Sequence, residues 1–201
     1  MNKKSALILA SASPRRVELL QQMQVEFKQQ VADIDESHQP AESAEEFVCR
    51  LSQQKARLIW QKNNKGVAVL GADTIVVVDQ HILGKPDGYQ DAVKMLNLLS
   101  GRTHQVMTAV TLMTGNDSKT RLSTSEVTFM LLDRALIDAY CQTGEFMDKA
   151  GSYAIQGIAG QFVEKINGSY SAIMGLPLYE TRCLLQDAGF GLLGTTIKTK
   201  N

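Results

Sequence analysis

Residues 67–79 read VAVLGADTIVVVD, a strongly β-branched run and the best strand candidate in the chain. The run commits the molecule to a sheet, and the segments around it decide the class. Before it, Ser43-Ala44-Glu45-Glu46 spells a capping box that opens a long helix to about Lys62. Earlier still, 5–10 reads as a short buried strand, 14–23 as a helix with Val17, Leu19, Leu20 and Met23 inward, and 24–31 as a short strand. After it, Ile82-Leu83 is expected to pair back across a turn at Gln80-His81, and 89–99 is a helix stopped by Ser100-Gly101. Residues 102–114 and 119–132 read as two long antiparallel strands joined by a turn at 115–118. Asp133 caps a helix to about Gln142, 162–166 is a strand, and 175–188 a final helix. The class is α/β, with a mixed sheet.

Three positions break the local rule of their element. Ser11-Ala12-Ser13-Pro14-Arg15-Arg16 turns the first strand directly into a helix, with Ser13 suited to the N-cap and Pro14 to the first helical position. Two arginines in a first turn oppose the helix dipole. They make sense if an anion is brought to that corner, where free N–H groups, hydroxyls and guanidinium forks would converge on a phosphate. Asp73 is a carboxylate inside the 67–79 run, where burial costs several kcal/mol unless the charge is paired or bound to a metal. It reads either as a strand-end residue capping a loop or as a general base or metal ligand. Gly71 and Ala72 beside it clear space for something to approach. Lys55 falls on the apolar stripe of the long helix with Phe47, Leu51, Leu58 and Ile59, so it either snorkels or reaches inward to a carboxylate or phosphate.

Weaker signals are Lys85 in a Gly-Lys-Pro turn, Glu36 in the acidic loop at 33–42, and Gln156-Gly157 with Gly160. Those glycines suggest either a ligand approaching the backbone or a plain turn. No Walker P-loop and no GxGxxG occurs. Lysine plus arginine equals aspartate plus glutamate at 21 each, which argues against nucleic-acid binding through bulk charge and makes any anion site local. Cys49, Cys141 and Cys183 show no CxxC spacing, and His38, His81 and His104 no ligand spacing, so a reducing compartment and structural or surface histidines are expected. Asn2-Lys3-Lys4 before an apolar run imitates a signal peptide, but the run is shorter than the roughly 7–15 residues required. No stretch approaches the roughly 20 apolar residues of a membrane span. Cationic donors (Arg15, Arg16, Lys55, Lys85), carboxylates (Asp73, Glu36) and an amide (Gln156) together suit metal-assisted hydrolysis of a phosphate chain.

The segments LILASASPRR (7–16), DIDE (33–36), QKA (54–56), GADTIV (71–76), GKP (84–86), LSGRTHQVMTAV (99–110), DKAGSYAIQG (148–157) and INGSYSAIMGLPLYET (166–181) run in the order found in Maf-type nucleoside triphosphate pyrophosphatases, which the chain resembles over about nine-tenths of its length. The resemblance implies an α/β fold like that of the inosine triphosphatases, with a mixed twisted sheet, flanking helices and two lobes around a central nucleotide-binding groove. It implies one domain over 1–190, followed by a poorly ordered tail at 191–201. The implied reaction converts a nucleoside triphosphate to the monophosphate plus pyrophosphate, with Mg²⁺ or Mn²⁺, in the cytoplasm, clearing unwanted nucleotides. Asp73 matches the family's proton acceptor; Ser11, Arg16, Lys55 and Lys85 match phosphate contacts; Asp73 and Glu36 would hold the metal. Arg15, Thr74 and Gln156 match the branch acting on dTTP and UTP, whereas a sister branch acting on 7-methyl-GTP carries Trp, Gln and Glu there. An amide can both donate to and accept from a pyrimidine edge. The alternatives are the same chemistry on 7-methyl-GTP, or a nucleotide-binding regulator of cell division without turnover. The resemblance also suggests a homodimer, though no heptad or repeat marks an interface, and neither nucleic acid nor membrane is expected as a partner.

Overall fold

A computed structural model describes residues 6–63, 66–115 and 117–192. Ser5, Asn116 and the tail expected at 191–201, beyond its first two positions, lie outside the described residues. The strands are β1 (Leu7–Ala10), β2 (Phe27–Gln29), β3 (Ala68–Val78), β4 (His81–Leu83), β5 (Thr103–Thr114), β6 (Asp117–Phe129) and β7 (Val163–Asn167). The helices are α1 (Pro14–Gln22), α2 (Ala44–Lys62), α3 (Tyr89–Leu99), α4 (Arg134–Gln142), α5 (Tyr170–Met174) and α6 (Leu178–Asp187). The strands form a seven-stranded sheet in the order β2-β1-β3-β5-β6-β7, with β4 pairing on β3. Pairing is mixed: β1 runs parallel to both β2 and β3, while β4 and β7 pair antiparallel.

The chain divides into two compact units. The first comprises Met1–Asp73, Thr108–Ser123 and Gly175–Asn201. Its core lies under β1 and β3, where Ile8, Ala10, Val69, Ala56, Ile59 and Met113 pack together. Here β1 is flanked by parallel strands on both sides, and the chain leaves it in opposite directions: α1 leads to β2, and α2 leads from β2 to β3. That reversal of strand order makes the carboxyl end of β1 a topological switch point, where open α/β sheets bind ligands. On β5 and β6 the Thr111 and Thr120 hydroxyls meet at 2.9 Å across the antiparallel hairpin.

The second unit comprises Thr74–Met107 and Thr124–Met174. Its core has Val76, Leu96, Leu99, Phe129, Ile137, Tyr140, Tyr153 and Phe162 among the buried side chains. Thr103 and Thr128 meet at 2.8 Å here; their numbers ascend on β5 as they descend on β6, which continues the antiparallel register.

The helix starts follow their sequence signals. Ser43 and Glu46 close the capping box on α2, Ser13 caps α1 with Pro14 following, and Asp133 caps α4 through Leu136 N–H. The expected helix at 175–188 is corrected: α5 ends before Gly175, whose φ is +120°, and α6 starts only after Pro177. Glycine tolerates that backbone and proline supplies no N–H to continue a helix, so the chain breaks there. Among the described residues no helix is long and apolar enough to cross a membrane.

Candidate active site

In the first unit, β3 and α2 meet at Gly71. A Cβ there would lie 2.4 Å from the Ser52 carbonyl oxygen and 2.8 Å from the Ala56 amide nitrogen. What approaches through the space that Gly71 clears is the backbone of α2. Its consequence lies two residues on, because alternate residues of a strand share a face. Asp73 follows Gly71 on the face turned to α2, and Lys55 precedes Ala56 on that helix. The Lys55 ammonium donates to Asp73 Oδ1 at 2.6 Å and pairs with Glu36 Oε1 at 2.6 Å. Lys55 is 7% exposed and Asp73 6%. Lys55 thus reaches inward rather than snorkelling, and Asp73 is a paired buried charge rather than a loop cap. Glu36 is the exposed member of the trio.

The loop carrying Glu36 is pinned by Arg50, a residue without a signal in local spacing. Arg50 Nε and Nη2 fork onto Glu42 Oε1 and Oε2 at 2.6 and 2.8 Å, and Nη2 also reaches the Ser37 carbonyl at 3.0 Å. This bidentate pair holds Glu42 down at about 2, well below the ordinary glutamate value.

The serine–arginine corner forms the carboxyl end of β1. Ser11 is buried, its hydroxyl accepting from Ser13 N–H at 3.1 Å and from Arg16 Nη1 at 3.3 Å. Arg16 Nε donates to the Gly175 carbonyl at 2.7 Å. Burial lowers the pKa of the Arg16 guanidinium, the field of Asp73 opposes this, Arg15 reinforces it and Glu36 opposes it. Arg16 therefore lies within electrostatic reach of both carboxylates and remains cationic at any neutral pH. Arg15 is half-buried on the same turn. The parallel register explains the convergence: Ala10, the last residue of β1, pairs with Gly71, so the turn after β1 opens beside Asp73 where β3 continues past the end of β1. The first unit brings together Ser11, Arg16, Glu36, Lys55 and Asp73.

Thr74, Lys85 and Gln156 belong to the second unit. Thr74 is half-buried on β3, whereas Lys85 and Gln156 are exposed. The loop holding Lys85 is tied by the Gly151 N–H to the Gly84 carbonyl at 3.0 Å. Gln156 sits in a turn closed by Gly157 N–H on the Ala154 carbonyl at 3.0 Å. Its glycines correct the reading of a ligand approach: a Cβ on Gly157 would meet the Glu145 carboxylate at 2.2 Å, and one on Gly160 the Ile155 carbonyl at 2.7 Å. The anion against this backbone is the protein's own glutamate.

Among the described residues no group of three or more His, Cys, Asp or Glu side chains is placed to hold a metal ion. Asp73 and Glu36 nonetheless share one cation, the Lys55 ammonium. Two hard oxygen donors suit Mg²⁺ or Mn²⁺ of the kind completed by substrate phosphates and water, not an all-protein cage.

Comparison with known proteins agrees with this architecture. The family model described as Maf-like protein matches residues 6–188. A dTTP/UTP pyrophosphatase of Colwellia psychrerythraea is 54% identical over 188 residues, 92% of this chain and 89% of that protein. A dTTP/UTP pyrophosphatase of Escherichia coli O157:H7 is 49% identical over 183 residues, 91% and 93% of the two chains. Among solved structures, the Staphylococcus aureus Ham1 protein superposes with a TM-score of 0.51 at 13% identity, covering 92% of this chain and 97% of that one, which speaks to the fold alone. With its sequence matched almost end to end, the chain belongs to the Maf-like protein family.

Proposed function

We propose that this chain is a nucleoside triphosphate pyrophosphatase that converts dTTP and UTP to the monophosphate and pyrophosphate. The observation that carries the reading is the buried Lys55–Asp73 pair with Glu36, set beside the Ser11–Arg16 corner at the carboxyl end of β1. The relatives named dTTP/UTP pyrophosphatase, at about half identity over nearly full length, support the substrate class.

The chain's own groups divide the work. The Ser11 hydroxyl and Arg16 guanidinium receive phosphate oxygens, as does Lys85 by resemblance. Lys55, already held between two carboxylates, turns its ammonium to phosphate as negative charge develops on the leaving group. Asp73 accepts the proton of a water whose oxygen attacks the α-phosphorus. The bond from that phosphorus to the α–β bridging oxygen breaks, and pyrophosphate leaves with the electron pair. Asp73 and Glu36 would hold a divalent cation, which supplies charge neutralisation and a more acidic water. Arg15, Thr74 and Gln156 are read as the base-side residues.

The test is pyrophosphate release from a panel of triphosphates with Mg²⁺ or Mn²⁺. The expected result is turnover of dTTP and UTP ahead of purine triphosphates, and its near abolition by Asp73→Asn in a folded protein. A preference for 7-methyl-GTP would reassign the base-side residues. Nucleotide binding without turnover, or an active Asp73→Asn enzyme, would refute the mechanism.

A further inference from the structure

The segment that carries Gln156 is organised around a single half-buried carboxylate. Glu145 Oε2 accepts the Ile158 N–H at 2.7 Å, and Glu145 Oε1 accepts the Ala159 N–H at 3.1 Å. The single proton of the Tyr140 hydroxyl is shared between Glu145 Oε1 at 3.2 Å and the Ser152 carbonyl at 3.1 Å, bracing the carboxylate from the core side. The Tyr140 phenol is pushed well above its ordinary value, by burial first and then by the Glu145 charge, so it stays a donor. Thr143 continues the brace, accepting the Glu145 N–H at 3.2 Å and donating to the Tyr140 carbonyl at 2.7 Å. Gly157, the residue after Gln156, lies directly on this carboxylate, so close that no side chain fits between them. Three successive residues after Gln156 are thereby registered against one acidic group by contact or hydrogen bond.

We propose that Glu145 is a positioning residue for base recognition: it fixes the backbone of 157–159 and so sets where the Gln156 amide points. The proposal rests on the reading of Gln156 as a base-side residue. It assigns to Glu145 no contact with substrate and no part in the phosphate chemistry. An exposed glutamine on an unbraced turn would lose orientational freedom on each binding event, and that cost would weaken binding. With its turn held in place, Gln156 presents its donor and acceptor already aimed. The fixed charge matters as well as the shape, because both carboxylate oxygens accept from backbone N–H groups and a glutamine would turn a donor toward one of them.

The test is a double-mutant cycle of Glu145→Gln with Gln156→Ala, read as kcat and KM for UTP. Glu145→Gln is expected to raise KM by about tenfold while kcat stays within about twofold, and to add nothing in the Gln156→Ala background. Tyr140→Phe, which removes one donor to the carboxylate while keeping the ring, is the second variant should Glu145→Gln fail to fold. It is expected to raise KM by a smaller factor, again only when Gln156 is present. A full, independent penalty from either substitution in the Gln156→Ala background would overturn the positioning role and leave the reading of Gln156 intact. An unchanged KM for Gln156→Ala alone would overturn both.

Discussion

Lys55 is the residue on which the site's electrostatics turn. Its ammonium is the shared partner of a buried carboxylate and an exposed one, at 2.6 Å from each. Replacing it with methionine keeps the volume and removes the charge. Asp73 would then be buried beside Glu36 with its attraction to Lys55 lost and their mutual repulsion remaining. Breaking a buried ion pair from one side costs about 3–5 kcal/mol, because the surviving charge has lost its partner. Lys55→Met is therefore expected to lower unfolding free energy by about 3 kcal/mol at neutral pH, measured by urea denaturation. Adding Asp73→Asn to Lys55→Met should recover part of that loss, since the stranded charge is gone. A Lys55→Met protein as stable as the parent would show that the pair contributes nothing to the fold. Glu36 enters this balance weakly, because an exposed partner is well screened by water.

At the level of elements, the contact of α2 with β3 sets the distance between Lys55 and Asp73. Gly71 permits that contact: the helix backbone occupies the place where any other residue would carry its Cβ. Gly71→Ala forces the two elements apart or distorts one of them, at a cost of about 1–3 kcal/mol, as overpacking does in other cores. The expected outcome is a lower melting temperature together with a loss of turnover larger than the stability loss explains, because the ammonium withdraws from the carboxylate. Full activity in a folded Gly71→Ala protein would disconnect the contact from catalysis. The loop bearing Glu36 is the other adjustable element. Arg50→Ala removes the fork onto Glu42 and the bond to Ser37. It should leave α2 intact by circular dichroism, increase proteolytic cutting within 33–42, and weaken nucleotide binding. Unchanged proteolysis would show that the fork does not hold the loop.

Across the whole molecule, the parts that could be read from the sequence were those where one residue conflicted with its surroundings. Asp73 in an apolar strand and Lys55 on an apolar stripe each had an inward, paired reading beside a bland one, and the fold supplies each as the partner of the other. Capping residues at Ser13, Ser43 and Asp133 marked helix starts because a cap acts within three residues of its own chain. Glu36 carried no such conflict, since an acidic loop is soluble by itself. Arg50 and Glu42, eight residues apart, meet only because the loop folds back on its helix. The glycines at 157 and 160 read equally as a ligand's approach or a plain turn, and what decides is contact with Glu145 and the Ile155 carbonyl.

His104 shows a conflict of the same kind with a global consequence. It is 2% exposed, its Nε2 within 2.8 Å of the Tyr153 hydroxyl and its ring edge-on to Phe129. Its Nδ1 has no hydrogen-bond partner among the described residues. Burial lowers its pKa to about 4, so the folded protein holds it neutral where an unfolded chain would protonate it. Between pH 6.5 and 4 the unfolded state therefore binds more protons, and stability falls as the pH falls through that window. The span of about two and a half pK units corresponds to about 3 kcal/mol, full above the unfolded value and lost by the folded one. His104→Gln preserves a polar partner for Tyr153 and cannot titrate. Urea unfolding of both proteins at intervals across this range should show the parent losing about 3 kcal/mol more than the variant on acidification. Parallel pH profiles would mean that His104 is already protonated in the fold, with its charge compensated inside the core of the second unit.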